Sequence, residues 1–178
     1  MIIRKATSQD IDAIEKIYDR IHEAEDAGKI TTGWITGVYP VRVTAEAALS
    51  RGDLFVYDAE GEIFAAAVIN QTQVDVYADC DWKYKADDDK VCVLHTLVVD
   101  PTVSGKGIGT SFVAFYEAYA KELGCTALRM DTNARNIAAR SLYAKLGYIE
   151  SGIVPCVFNG IPDVKLVLLE KKVGDRNA

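Results

Sequence analysis

The sequence predicts an α/β fold in which a parallel βαβ unit is set into an otherwise antiparallel sheet, and three observations carry that reading. An apolar run at Leu97-Val98-Val99 enters a glycine-rich turn, Ser104-Gly105-Lys106-Gly107-Ile108-Gly109-Thr110, which opens an amphipathic helix and leads on to a strand near Thr126. Strand, helix and strand in that order imply a right-handed crossover between parallel neighbours. Elsewhere, short strand-forming segments flank the turn signals Asp58-Ala59-Glu60-Gly61-Glu62 and Asn159-Gly160, which mark hairpins and therefore antiparallel pairs. At 178 residues, 49% of them hydrophobic, the chain is expected to form one domain over residues 1–173, followed by a polar tail at 174–178.

The elements follow in order. Ile2 to Lys5 reads as a first strand, and Thr7-Ser8-Gln9-Asp10 as a capping-box start to a helix carrying Ile11, Ile14, Ile17, Tyr18 and Ile21 at helical spacing. Residues 22–43 hold His22, Glu23, Trp34, Tyr39 and Pro40 among several glycines and read as a mobile connector. Thr44 is expected to cap an alanine-rich helix that stops at Gly52. Strands are predicted at 54–57 and 63–70, with 73–77 as a possible extension, followed by an acidic loop at 78–90 and a strand at 91–99. The helix after the glycine turn carries Ile108, Phe112, Phe115, Tyr119 and Leu123 on one face and ends before Gly124. A strand at 126–131, a helix from about Arg135 to Gly147, and strands at 148–154 and 164–170 complete the chain.

Composition excludes several classes of function. The formal net charge of −6, without a Lys/Arg cluster, argues against a nucleic-acid partner, because phosphate backbones demand concentrated positive charge. No apolar run reaches the ~20 residues of a membrane span, and no signal-peptide core follows the N-terminal Met, so a cytoplasmic location without a membrane partner is expected. Cys80, Cys92, Cys125 and Cys156 form no C-x-x-C pair, and His22 and His95 are the only histidines; no metal site is expected.

Glycines at 105, 107 and 109 allow a sharp bend, and the first turn of the following helix leaves amide donors that favour a phosphate or pyrophosphate. Gly107 breaks a Walker pattern and Thr110 breaks a dinucleotide G-x-G-x-x-G pattern. What remains, V-x-P-x-x-x-G-K-G-I-G after a strand, resembles the GNAT superfamily of acyl-CoA-dependent N-acyltransferases. A second segment, Asn136 to Tyr148, is similar to that family's N-x-x-A-x-x-L-Y-x-K-x-G-[FY] signature at every named position. The resemblance implies a central, mixed, mostly antiparallel sheet of about seven strands with helices on both faces, acetyl-CoA as acyl donor, and a small-molecule or peptide amine as acceptor.

It also implies roles for particular residues. Ser104, Gly105, Lys106, Gly107, Ile108, Gly109 and Thr110 would hold the CoA pyrophosphate. Ser104 stands where the family carries Arg or Gln, which leaves the backbone amides to do most of the binding. The backbone of Leu97, Val98 and Val99 would pair with the pantetheine arm and polarise the thioester carbonyl, and Asn136 would contact the arm or cap its helix. Tyr143 matches the tyrosine that protonates the departing thiolate, a core-packing tyrosine being the alternative. His95, six residues before Pro101, lies where many relatives carry a glutamate base. It is read either as the base or as a hydrogen-bonded strand histidine. Trp34, Tyr39, Glu23 and Asp79 are candidate acceptor contacts. A non-catalytic acyl-CoA sensor is the competing reading, and a homodimer through strand edges is possible.

Overall fold

The computed structural model describes residues 1–174, so most of the predicted tail lies outside the described residues. Seven strands form one sheet in the order β1-β2-β3-β4-β5-β7-β6: β1 (Ile2–Lys5), β2 (Leu54–Ala59), β3 (Glu62–Asn70), β4 (Val91–Val99), β5 (Ala127–Asn133), β6 (Ile149–Phe158) and β7 (Ile161–Lys172). Every neighbouring pair is antiparallel except β4 and β5. The helices are α1 (Ile11–Asp26), α2 (Arg42–Arg51), α3 (Ile108–Glu122) and α4 (Ile137–Lys145).

Helices cover both faces of the sheet. On one face, Ile11, Ile14, Ile17 and Ile21 of α1 and Ala45 and Ala48 of α2 bury against Leu54, Val56, Ala66 and Val98. On the other, Phe112, Val113 and Tyr116 of α3 and Tyr143 of α4 pack against Phe55, Leu94, Leu128 and Met130. A third cluster closes the β5–β7–β6 end, where Tyr77 and Trp82 from the long loop before β4 pack on Val93, Val164, Leu166 and Leu168.

Several predicted elements differ in extent. The first helix runs through His22 to Asp26, because His22 turns inward and its Nε2 meets the Pro40 carbonyl at 2.9 Å. The connector is therefore shorter than read, and it is fastened at several points described below. Thr44 sits in the first turn of α2 rather than at its cap. Val41 is the N-cap, and the Thr44 hydroxyl accepts the Val41 N–H at 3.1 Å. Residues 73–77 do not extend the sheet: Asp75–Asp79 forms a 3-10 turn that puts the Tyr77 and Trp82 rings edge to face, 5.2 Å apart. The Asn159-Gly160 hairpin forms with both residues at positive φ, and it joins strands several residues longer than predicted.

The parallel pair positions the site. β4 and β5 are paired only from Val91–Ala127 to Leu94–Met130; beyond that, toward their carboxyl ends, the register stops. Tyr116 holds the paired portion together, its buried hydroxyl donating to the Cys92 carbonyl at 2.6 Å and lying 3.1 Å from the Arg129 carbonyl. Ligands of open α/β sheets bind at the carboxyl ends of parallel strands, and here the strands themselves part to make the opening.

Candidate active site

The opening is a cleft of about 900 Å³ between the ends of β4 and β5. Of the residues singled out from sequence, His95, Leu97, Val98, Val99, Ser104, Gly105, Gly107, Ile108, Gly109, Thr110, Asn136 and Tyr143 all line it. Lys106 is not among the lining residues; it is exposed on the glycine turn.

A β-bulge shapes the β4 wall. Val98 pairs with Ala66 and His95 with Val68, so Thr96 and Leu97 together oppose Ala67, and Thr96 takes up a φ of 50°. The Asp100 N–H donates to the Phe64 carbonyl of β3 at 2.8 Å. Alternation along the strand then turns the Leu97 and Val99 amides away from β3 and into the gap left by β5. Two backbone donors, without a strand partner among the described residues, thus face the cleft.

The turn after β4 is anchored by Asp100, only 2% exposed. Its carboxylate accepts from the Thr102 N–H at 2.9 Å and from the Thr102 hydroxyl at 2.8 Å, and it pairs with Arg20 of α1. Burial alone would raise this carboxyl's pKa, but those bonds outweigh it and hold it below the ordinary range. Gly105 and Gly107 adopt φ of 81° and 77°, the left-handed region that favours glycine. The first intrahelical donor of α3 is Ser111, to the Gly107 carbonyl at 2.9 Å, so the amides of Ile108, Gly109 and Thr110 have no backbone partner among the described residues and stand at the positive end of the dipole. A Cβ on Gly109 would stand 3.3 Å from Leu142, which brings α3 close to α4 at the cleft. The cradle therefore suits an anionic phosphate group without help from Ser104.

Opposite lies α4. Asn136 is its N-cap, its Oδ1 accepting the Ala139 N–H at 3.1 Å, and it also borders the cleft. Tyr143 is 7% exposed, and its hydroxyl has no hydrogen-bond partner among the described residues. Burial, and then the charge of Asp131, push its phenol well above the ordinary value, so it is protonated at neutral pH.

His95 is half-buried, with Nε2 3.0 Å from Asn70 Oδ1. The Asn70 amide is oriented by two further bonds, Nδ2 donating to Asp53 at 2.8 Å and Oδ1 accepting from the Thr72 N–H at 2.9 Å. This network assigns the proton to Nε2 and leaves Nδ1 with the lone pair. Burial lowers the imidazole pKa below its usual value, which favours the neutral ring.

Sequence reasoning missed Asp131. It lies on β5 just past the last paired residue, lines the cleft, and accepts a 2.6 Å hydrogen bond from the Tyr77 hydroxyl. Burial, only partly offset by that bond, pushes its carboxyl up to about 6. The signal was present: a carboxylate in Leu128-Arg129-Met130-Asp131-Thr132-Asn133, at the carboxyl end of a parallel strand. One wall of the cleft is aromatic and aliphatic, built by Trp34, Tyr39, Val74, Phe158, Ile161 and Leu166, and the uncharged polar residues Thr96, Thr132, Asn133 and Asn159 also line it. Trp34 and Tyr39 meet edge to face at 6.0 Å, and the Tyr39 hydroxyl bonds Thr96. Glu23 and Asp79, the other two acceptor candidates, are exposed and outside the cleft: Glu23 is on the outer side of α1 and Asp79 ends a surface turn.

The segment carrying Trp34 straps over the cleft. Glu25 accepts from the Thr32 and Gly33 N–H groups, and the Thr31 hydroxyl donates to the Arg135 carbonyl at 2.7 Å. Gly33, at φ 76°, lies so close to Asn133 that a Cβ there would be 2.3 Å from its side-chain nitrogen.

Residues 13–148 match the model of the acetyltransferase (GNAT) family. The chain belongs to that family. A 79-residue stretch is 32% identical to an uncharacterized N-acetyltransferase of Methanocaldococcus jannaschii, covering 44% of this chain and 35% of that relative. The chain thus spans about a third of that curated relative's length. Among solved structures, a GNAT-family acetyltransferase from Streptococcus agalactiae superposes with a TM-score of 0.78 at 21% identity, over 98% of this chain and 96% of that one. A Salmonella typhimurium protein solved with its cofactor acetyl-CoA superposes at 0.68 with 18% identity, over 100% and 96% of the two chains. These likenesses establish the fold, including its mixed seven-stranded sheet. Among the described residues, no helix is long and apolar enough to cross a membrane, and no His/Cys/Asp/Glu group is arranged to hold a metal ion.

Proposed function

We propose that this chain is an acetyl-CoA-dependent N-acetyltransferase that acts on a primary amine by direct attack within a ternary complex. The observation that carries the reading is the convergence, in one cleft, of free amides on β4 and α3, a protonated buried tyrosine and a carboxylate of raised pKa. When bound, acetyl-CoA supplies the thioester whose carbonyl carbon is attacked. Ile108, Gly109 and Thr110 hold its phosphates, and the Leu97 and Val99 N–H groups donate to the carbonyl oxygen as negative charge develops there.

An amine of pKa ~10.4 enters protonated and needs a base. Asp131, ionised above about 6, accepts the first proton and frees the nitrogen lone pair. As the C–N bond forms and the C–S bond breaks, the nitrogen's second proton reaches sulfur through the Tyr143 hydroxyl. A buried phenol is a weaker acid than a thiol, so Tyr143 serves as a relay rather than ending the reaction as phenolate. Ammonium and thioester are converted to amide, thiol and one released proton. His95 is a second candidate base, favoured by its neutral ring in the cleft wall.

Thiol release from acetyl-CoA in the presence of amine tests the relay. Tyr143→Phe is expected to lower kcat at least 100-fold while the affinity for acetyl-CoA changes less than threefold. Unchanged turnover would remove Tyr143 from the mechanism.

A further inference from the structure

The acceptor end of the cleft is chemically one-sided. Its charged lining residues are Asp131, Asp100 and Lys29. Asp100 is already engaged by Arg20 and Thr102 at the glycine turn, and Lys29 is exposed at the rim. One carboxylate is therefore left for a ligand, and it emerges from a wall of Trp34, Tyr39, Val74, Phe158 and Leu166. Glu25 near the end of α1 has its carboxylate taken up by the Thr32 and Gly33 amides of the strap.

Such a wall discriminates among amines. A second ammonium on the acceptor would be desolvated against aromatic and aliphatic carbon with no counter-charge, and a carboxylate would meet no buried cation. An apolar body gains both burial and ring contact with Trp34 and Tyr39. Resting on the acetyl-transfer reading above, we propose that the acceptor is a primary amine bearing a single positive charge on an apolar body of aromatic size, without a carboxylate. The amine is held by Asp131 and the body by the cleft wall of Trp34, Tyr39 and Phe158. Polyamines, aminoglycoside-like polycations, α-amino acids and peptide termini are disfavoured.

The full chain is assayed for thiol release with four probes: 2-phenylethylamine, spermidine, phenylalanine and an alanine-initiated tetrapeptide. The expected kcat/KM for 2-phenylethylamine exceeds each of the others at least 100-fold. In Trp34→Ala, KM for 2-phenylethylamine is expected to rise at least tenfold with kcat within threefold, while calorimetry shows unaltered acetyl-CoA affinity, which reports an intact fold. A preference for spermidine, phenylalanine or the peptide would overturn the acceptor assignment and leave acetyl transfer standing. An unaltered KM in Trp34→Ala would remove the aromatic wall from recognition. Silence with all four amines, in a protein that binds acetyl-CoA, would sink both readings.

Discussion

Asp131 concentrates the chemistry of the cleft in one side chain, and its environment sets opposing effects on stability and activity. Burial raises its carboxyl from 3.8 to about 6, so the folded state binds a proton more tightly than the unfolded chain. The sign follows: the fold loses stability as pH rises from about 4 through 6, and above 6 the ionised group costs on the order of 3 kcal/mol. Asp131→Asn keeps an acceptor for the Tyr77 hydroxyl and removes the charge. Denaturant unfolding should therefore find this variant more stable than the parent at pH 7.5, by roughly 1–3 kcal/mol, and no more stable at pH 4. Amine acetylation should fall by two orders of magnitude or more, and the activity limb near pH 6 should vanish. His95→Gln is the informative control, because burial also brings the His95 imidazole below its usual value. Retention of the limb in His95→Gln and its loss in Asp131→Asn assigns the base to Asp131; the reverse pattern assigns it to His95.

At the scale of elements, the glycine-turned entrance to α3 and the strap from α1 enclose the cleft from two sides. The strap's dependence on Gly33 can be separated from its backbone strain, since Gly33 and Gly37 share nearly the same φ, 76° and 75°, but only Gly33 abuts Asn133. Gly37→Ala is expected to cost about 1 kcal/mol through φ alone, and Gly33→Ala about 1–3 kcal/mol more through the clash. Equal losses in thermal unfolding would mean that Asn133 yields freely and that the strap is not fixed there. Periodicity and caps made most elements legible: the Ile11–Ile21 stripe, the Gly52 and Gly124 stops, and both hairpin turns stand in the residues themselves. Local chemistry did not reveal that His22 turns inward, that residues 75–79 coil to seat Tyr77, or that Thr44 lies inside its helix. His22 and Tyr77 depend on partners distant in sequence, Pro40 and Asp131, whereas Thr44 is displaced into the helix because Val41, three residues earlier, takes the cap.

Over the whole molecule, the two motifs meet because β4 and β5 pair for four residues and then separate, with α3 fastened across the paired part by Tyr116. The glycine turn and the Asn136–Tyr148 segment were readable because each has a local pattern of its own. Asp131 was legible only as a carboxylate at the carboxyl end of a parallel strand; its importance comes from the separation of the strands, which no spacing in the chain records. The same separation opens the cleft beside the β4 amides, and on the proposed reading the pantetheine arm would lie there, in a cofactor site resting mainly on backbone. Calorimetric titration of the intact chain with acetyl-CoA tests that claim most directly. One-site binding, weakened at least tenfold in Gly107→Val and little changed in Ser104→Ala, is the predicted result. Absence of binding at millimolar acetyl-CoA, or binding that depends on Ser104 and ignores Gly107, would contradict it.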